Sequence, residues 1–592
     1  MKKLALFPLA FAAAATVAAA TYTNPVLTMD FSDPDVCVGA DGKYYMTASS
    51  FGGLPGLPIL VSDDLVNWEY AAYALAEHPF PTQSPEHGNA VWAPSIRRKS
   101  FWKKNAENQD RTWTHEYVIY WGDPDRGAYR ISAPDPRGPW SEPRLVVEGK
   151  GIIDTCPLYD DDGRVYLVNG WAQSRAGMNS VLTVRELDKD ETHAISQPMM
   201  VYDGVPDGNF TAEGPKFYKR GGDYWLFFPA GGVGGGWQVA ARAKRPFGPY
   251  AARTVMAQGK SKINGPHQGA WVHCEVEGPN GGKCGSGEDW FVHFSDRDAY
   301  GRIVYLEPMA WRADGWPVIG VDEDGDGCGE PVEVYEMPKG GTRGVQTLYP
   351  QLSDEFNDGQ IGLQWQWLGR SKDFAGWATP YGFYRQYTTP YGCGAKKSSF
   401  GPGAKKVNGS LWNAPNLMVQ KFPAFAFTAT MKAQVGAKQP TEEAGLIVQG
   451  RSYARIGLRY AGEEKFEVVY TECRDADKGK DEDAPVVLAT VPAQVIGAGL
   501  RTANVKDIWL KVEVTPGEIP PKGLGPKAMC AFAWSLDGET WTACEKAFPA
   551  REGKWIGATV GIYAVSGPDC KDRGWIDVDW FRVARSNVLP SL

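Results

Sequence analysis

Beyond its first twenty residues the chain has no uninterrupted apolar run of ~18 residues, which excludes a conventional membrane-spanning helix there. None of its ten cysteines forms a C-x-x-C pair, so a zinc ribbon or thioredoxin-type redox site has no support. Positive charge is also in deficit: 62 Lys and Arg stand against 70 Asp and Glu, a net charge of -8. A nucleic-acid partner normally needs a basic face, so none is expected, and no membrane partner either. Helical periodicity is almost absent. These absences leave a globular, strand-built protein with a neutral ligand.

At 592 residues the chain is too long for one hydrophobic core, and its 43% apolar and 22% charged residues are globular composition. Lys2 and Lys3 precede an apolar stretch from Leu4 to Val17, and Ala18 and Ala20 make an A-x-A cleavage site before Thr21. Residues 1 to 20 therefore read as a cleaved signal peptide, with the mature protein secreted or periplasmic. Export permits disulfides. Cys274 and Cys284 bracket a Gly-rich segment, and Cys530 and Cys544 sit almost symmetrically about Asp537-Gly538, so each pair is a candidate hairpin staple. Aromatic residues reach 12%, including 23 Trp, whose flat rings suit the C–H faces of sugars.

A unit recurs five times between residues 30 and 310: a short strand opened by a distinctive residue, a turn, then a second strand rich in Tyr, Phe, Trp and Val. The copies are DPDV from Asp33 with KYYMTAS, WAPSI from Trp92 with EYVIYWG, DTCPL from Asp154 with RVYLVNGW, EGPKF from Glu213 with DYWLFF, and HQGAW from His267 with DWFVHF. Their spacings are 59, 62, 59 and 54 residues, with further strand-like runs between them. About four short strands per unit, repeated radially, make a five-bladed β-propeller over residues 21 to 338. The innermost strands of a propeller line its channel. Asp33, Trp92, Asp154, Glu213 and His267 should therefore converge, and like charges held together raise the pKa of at least one carboxyl. One protonated and one ionised carboxyl are what hydrolysis of a glycosidic bond needs.

With the stretches NPVL, LPGLPILVSDDLVNW, VWAPSIR, GIIDTCPLYDDDGRVYL, TAEGPKFYKRGGDYW, GPHQGAW and GRIVYLEPMAW, residues 22 to 335 resemble glycoside hydrolase family 43. This is a family of five-bladed enzymes that includes β-xylosidases and α-L-arabinofuranosidases. The resemblance implies that Asp33 is the general base, Glu213 the general acid and Asp154 the residue that orients Glu213 and raises its pKa. Hydrolysis would invert the anomeric carbon, with base and acid ~6.5 to 9.5 Å apart. Arg302 would bond sugar hydroxyls, Phe51 and Trp92 would wall the pocket, and His267 would fill its floor. One departure stands out: where the family often has an apolar residue or His after Ala-Pro of the second blade, this chain has Ser95.

After a linker at 339 to 349, residues 350 to 592 read as strands with alternating faces, an antiparallel β-sandwich (jelly-roll). It resembles the concanavalin-like module appended to many family 43 enzymes, and its expected role is carbohydrate binding, a loop lent to the pocket, or packing. The chemistry requires no cofactor. Structural calcium has a candidate site in Asp322, Asp324, Asp326 and Glu333, which match EF-hand ligand spacing, although Pro331 and the strand-like flanks favour a turn. A second candidate joins Asp354, Glu355 and Asp577. The expected substrate is a plant cell-wall polysaccharide or oligosaccharide of the xylan type, with xylose or arabinofuranose released. An endo-acting arabinanase and a non-catalytic sugar-binding propeller are the alternatives.

Overall fold

The computed structural model describes residues 20 to 586, except 81–84, 105–109, 279–281, 341–345, 370–375, 391–409, 497–501 and 568–571. The expected signal peptide, apart from Ala20, lies outside the described residues. Five four-stranded antiparallel sheets follow one another along the chain, each built from four consecutive strands. The innermost strands are Asp35–Val38, Trp92–Lys104, Ile152–Tyr159, Lys216–Arg220 and Gly269–Glu277, in blades I to V. The second strands carry the aromatic runs seen in the sequence. Asp223–Ala230 of blade IV is buried at every position, because both faces of a blade are covered by its neighbours.

Aromatic side chains fill the spaces between blades. Between blades IV and V the Trp225 ring meets Trp311 edge-on at 5.0 Å and Trp316 at 5.4 Å. Each such contact adds about 0.5–1.5 kcal/mol beyond area burial, and truncating a buried Trp to Ala costs about 3–5 kcal/mol. The ring of blades is closed by the N-terminal segment. Thr21–Thr23 pairs with Val334–Glu336, and Leu27 exchanges backbone hydrogen bonds with Val304 on the third strand of blade V. The Asn24 side chain locks this seam, donating to Leu306 O at 2.8 Å and Val332 O at 2.9 Å while accepting from Leu306 N at 3.0 Å.

The C-terminal half forms eight- and nine-stranded sheets packed face to face. Phe427–Ala437 shows why: Ala429, Met431, Ala433 and Val435 point inward while Thr428, Thr430, Lys432 and Gln434 face outward. Pairing is antiparallel except for a two-residue parallel contact between Thr389–Pro390 and Val565–Ser566. One apolar core joins the two halves, since Ala299, Tyr300, Ile303 and Tyr305 of blade V belong to the same cluster as the sandwich interior. Tyr300 donates to Phe425 O at 3.0 Å and packs against its ring at 4.7 Å. Among the described residues no helix is long and apolar enough to cross a membrane.

One sequence expectation changes here, at the cysteines. The hairpin cysteines are not paired: Cys274 is buried while Cys284 is exposed, and Cys530 and Cys544 are likewise free. A register shift between His273 and Glu275 separates the first pair. The first hairpin is held by its backbone ladder and by side-chain pairs such as Lys283 with Glu275 and His273 with Asp289. At the candidate calcium turn, ligand atoms of Asp322, Asp324 and Asp326 lie within 4.8 Å of one another, without Glu333. Glu333 is exposed and its carbonyl accepts the Asn24 amide. The oxygens of Asp322 accept from Gly325 N at 2.7 Å and Gly327 N at 3.0 Å, as in a turn. In the sandwich, Asp577 is taken by Arg385, Glu355 by Arg582, and Asp354 by the amides of Phe356 and Gly362.

Candidate active site

Asp33 and Asp154 both hold left-handed backbone, φ 57° in each case, and Gly214 next to Glu213 has φ 58°. Such a residue interrupts strand alternation, and in blade III it coincides with a register shift between Ile153 and Cys156. Its effect is to turn the side chain into the channel mouth. For a non-glycine residue this costs ~1–2 kcal/mol, least for Asp and Asn. The conformation is local; its use is at the centre of the ring.

There the residues named from sequence meet. Asp33, Phe51, Trp92, Asp154, Glu213, His267 and Arg302 all line one pocket of about 460 Å³. Asp33 is buried; it accepts from Ser49 Oγ at 2.5 Å and lies 3.8 Å from Arg302 Nη1. Ser49 also accepts the Ala93 amide at 2.7 Å, which ties the carboxylate to blade II. Asp154 accepts from Gly214 N at 2.8 Å and from Gln268 Nε2 at 3.2 Å. The first of these bonds fixes the backbone beside Glu213. Glu213 Oε1 lies 3.5 Å from His267 Nε2.

Burial raises all three carboxyls. Asp33 rises through desolvation, with Arg302, the Ser49 hydroxyl and Lys216 pulling the other way. Desolvation and then the charge of Asp33 push Asp154 up to about 7. Glu213 goes furthest, to about 8, through desolvation and then the charges of Asp154 and Asp33. Both thus stand well above the ordinary carboxylate range, each raised by burial and by the neighbouring carboxyls. The Glu213 side chain is 35% exposed into the pocket, so its desolvation is complete only when a ligand fills that space. His267 is driven the other way, to about 3, by burial and then the Arg302 charge. It is a neutral imidazole, and neither ring nitrogen has a hydrogen-bond partner among the described residues.

Several pocket residues were not named from sequence. Trp171 ends the second strand of blade III, Gln173 opens the one-turn helix after it, Asn179 lies just before the third strand, and Gln268 immediately precedes the inner strand of blade V. Trp555 comes from the sandwich. Its ring stands edge-on to Trp92 at 6.3 Å and the Arg302 guanidinium lies 5.6 Å from its centre. The loop carrying it is pinned to the propeller: Ser32 Oγ donates to Trp555 O at 3.4 Å, and Gly557 N to Asp30 Oδ2 at 2.9 Å. Asp30 also accepts the Arg302 amide at 3.0 Å. One carboxylate thus registers the sandwich loop against the pocket arginine.

Residues 22–317 match the model of glycosyl hydrolases family 43, and residues 353–584 that of the beta xylosidase C-terminal concanavalin A-like domain. A putative beta-xylosidase of Xylanibacter ruminicola is 32% identical over 91% of this chain and 86% of its own length. A non-reducing end alpha-L-arabinofuranosidase of Bacteroides ovatus is 28% identical over 73% of this chain and 74% of its own. Among solved structures, a xylan beta-1,4-xylosidase from Bacillus halodurans C-125 shares the fold, with TM-score 0.70 and 18% identity over 95% of this chain and all of that one. With a five-bladed propeller carrying three carboxyls on its axis and a sandwich closing over them, the chain belongs to glycosyl hydrolases family 43.

Proposed function

We propose that the protein releases xylose or arabinofuranose from the non-reducing ends of xylan-type chains or oligosaccharides, by single displacement with inversion. The observation that carries the reading is the gathering of three carboxyls with unequal surroundings in one pocket, beside a neutral His267 and the Arg302 guanidinium. Asp33, next to Arg302 and the Ser49 hydroxyl, is the carboxyl best placed to ionise. As base it takes a proton from water while the water oxygen bonds to the anomeric carbon. The bond from that carbon to the leaving oxygen breaks as Glu213 gives its proton to that oxygen. Asp33 is left protonated and Glu213 ionised, and exchange with solvent restores both. Asp154 holds the Glu213 backbone through Gly214 and keeps Glu213 protonated by its own charge.

Release of single sugars is supported by the mouth of the pocket, where Trp555 of the sandwich stands beside Trp92 of the propeller. The names of the relatives support the two sugars, which present similar hydroxyls. The leader-like first twenty residues support action outside the cytoplasm. The test is hydrolysis of aryl β-xyloside and aryl α-arabinofuranoside with the first-released anomer followed by NMR. Inversion is expected, and Glu213→Ala should turn over a poor leaving group 10²–10⁴-fold more slowly, the usual contribution of general acid catalysis. Retention of configuration, or unchanged turnover by that variant, would overturn the reading.

A further inference from the structure

The residues that open the inner strands make one layer of the channel; a second polar layer lies directly beneath. In blades I and III the side chain two places after the carboxylate returns to the channel, which brings in Asp35 and Cys156. Blades II and IV add Ser95 and Lys216. All four are buried, Lys216 to 1% exposure and the others completely. Lys216 Nζ donates to Pro94 O and to Ser95 Oγ, both at 2.9 Å, and stands 3.9 Å from Asp35 Oδ2. Ser95, the departure from the family pattern, is thus one wall of a seat for an ammonium ion.

The charge in this layer does not cancel. Asp35 is already held by Arg97 at 2.6 Å and by the Ile96 amide at 2.7 Å, and Arg97 also donates to Cys156 Sγ at 2.9 Å. Two cations share one carboxylate, so one positive charge is in excess beneath the acids. Above it, Arg302 is divided between Asp33 at 3.8 Å and Asp296 at 3.5 Å. The charged and titratable groups around the axis are Asp30, Asp33 and Asp35 of blade I and Arg97 of blade II. Blades III and IV add Asp154, Cys156, Glu213 and Lys216, and blade V adds His267, Asp296 and Arg302. In that set Lys216 is the cation placed under the carboxylates, and its charge lowers the pKa of both Asp33 and Asp154.

We propose that Lys216 is a positioning residue for the reaction, its ammonium ion seated on Ser95 and Pro94 as a fixed counter-charge, beside that of Arg302, to the carboxylates above it. The inference rests on the reading of Asp33 as base. It separates an electrostatic role from packing because an amide and a guanidinium can each still bond the Pro94 carbonyl, while only the second carries charge.

The experiment compares Lys216→Gln and Lys216→Arg by kcat/KM against pH, with an aryl glycoside whose leaving group needs little protonation. Lys216→Gln should move the acid limb up by about one pH unit, a ~10-fold loss on the acid side with the plateau and KM little changed, while Lys216→Arg keeps the wild-type limb. A loss equal at every pH, or an unmoved limb, would overturn the proposal. Should Lys216→Gln fail to fold, Ser95→Asp neutralises the ammonium in place and must shift the limb the same way; an unmoved limb there also overturns it. Wild-type turnover by Asp33→Asn would instead overturn the base assignment, an outcome separate from any change in the Lys216 variants.

Discussion

Removing the charge of Asp154 should lower the pH at which the enzyme stops working. As a general acid Glu213 acts only while protonated, so its activity is present below its pKa and lost as pH rises through it. An ordinary glutamate at pH 7 would be protonated in ~0.3% of molecules, whereas a carboxyl at about 8 is protonated in ~90%, a gain of ~300-fold in competent acid. Desolvation supplies the largest part of that rise, and the neighbouring Asp154 charge the next. Asp154→Asn keeps the shape of the side chain and can still accept from the Gly214 amide, but it removes the charge. The basic limb of kcat/KM should move down by ~1–2 units relative to the wild type. The assay is a pH–rate profile on two aryl glycosides. With a leaving group that must be protonated the shift should be plain; with one that leaves unaided the limb should be shallow in both proteins. A basic limb that is the same in Asp154→Asn, or that persists undiminished for the unaided leaving group, would refute the assignment of Glu213 and Asp154.

Trp555→Ala removes the sandwich's contribution to the pocket mouth, and loss of an aromatic contact with a sugar should raise KM about 10-fold, some 1–1.5 kcal/mol, with kcat less affected. Because Trp555 is 44% exposed, the melting temperature should stay within ~2 °C of wild type, and a large drop would mean that the residue serves packing instead. Chelation should be harmless: Asp322 is already satisfied by Gly325, Gly327 and Arg312, so EDTA should change neither melting temperature nor turnover. A rise of several degrees on adding calcium would show that the turn is an ion site after all.

How much of this was open to reading from the chain depends on where each signal is stored. The five units and their spacing were legible because every blade must present a strand start to the same axis, and Asp33, Asp154 and Glu213 stand at those starts. Alternation in segments such as Phe427–Ala437 likewise betrayed the sandwich, since a two-sheet core needs period two. Cysteine spacing misled because symmetry about a turn does not say which face a side chain occupies. Cys274 lies within a register shift while Cys284 pairs with Val276 beyond it, which no count of residues reveals.

What the sequence by itself determined is therefore the repeat, the two folds and the carboxyls on the axis, all encoded by short-range pattern. Tertiary structure alone decided the rest, because it depends on contacts between segments far apart in the chain. Trp555 reaches the pocket on a loop of the second domain held by Asp30 and Ser32, and the Ser95 seat for Lys216 exists only where blades II and IV face across the channel. The unequal surroundings of Asp33 and Glu213 arise in the same way, from charges and burial assembled by the closed ring.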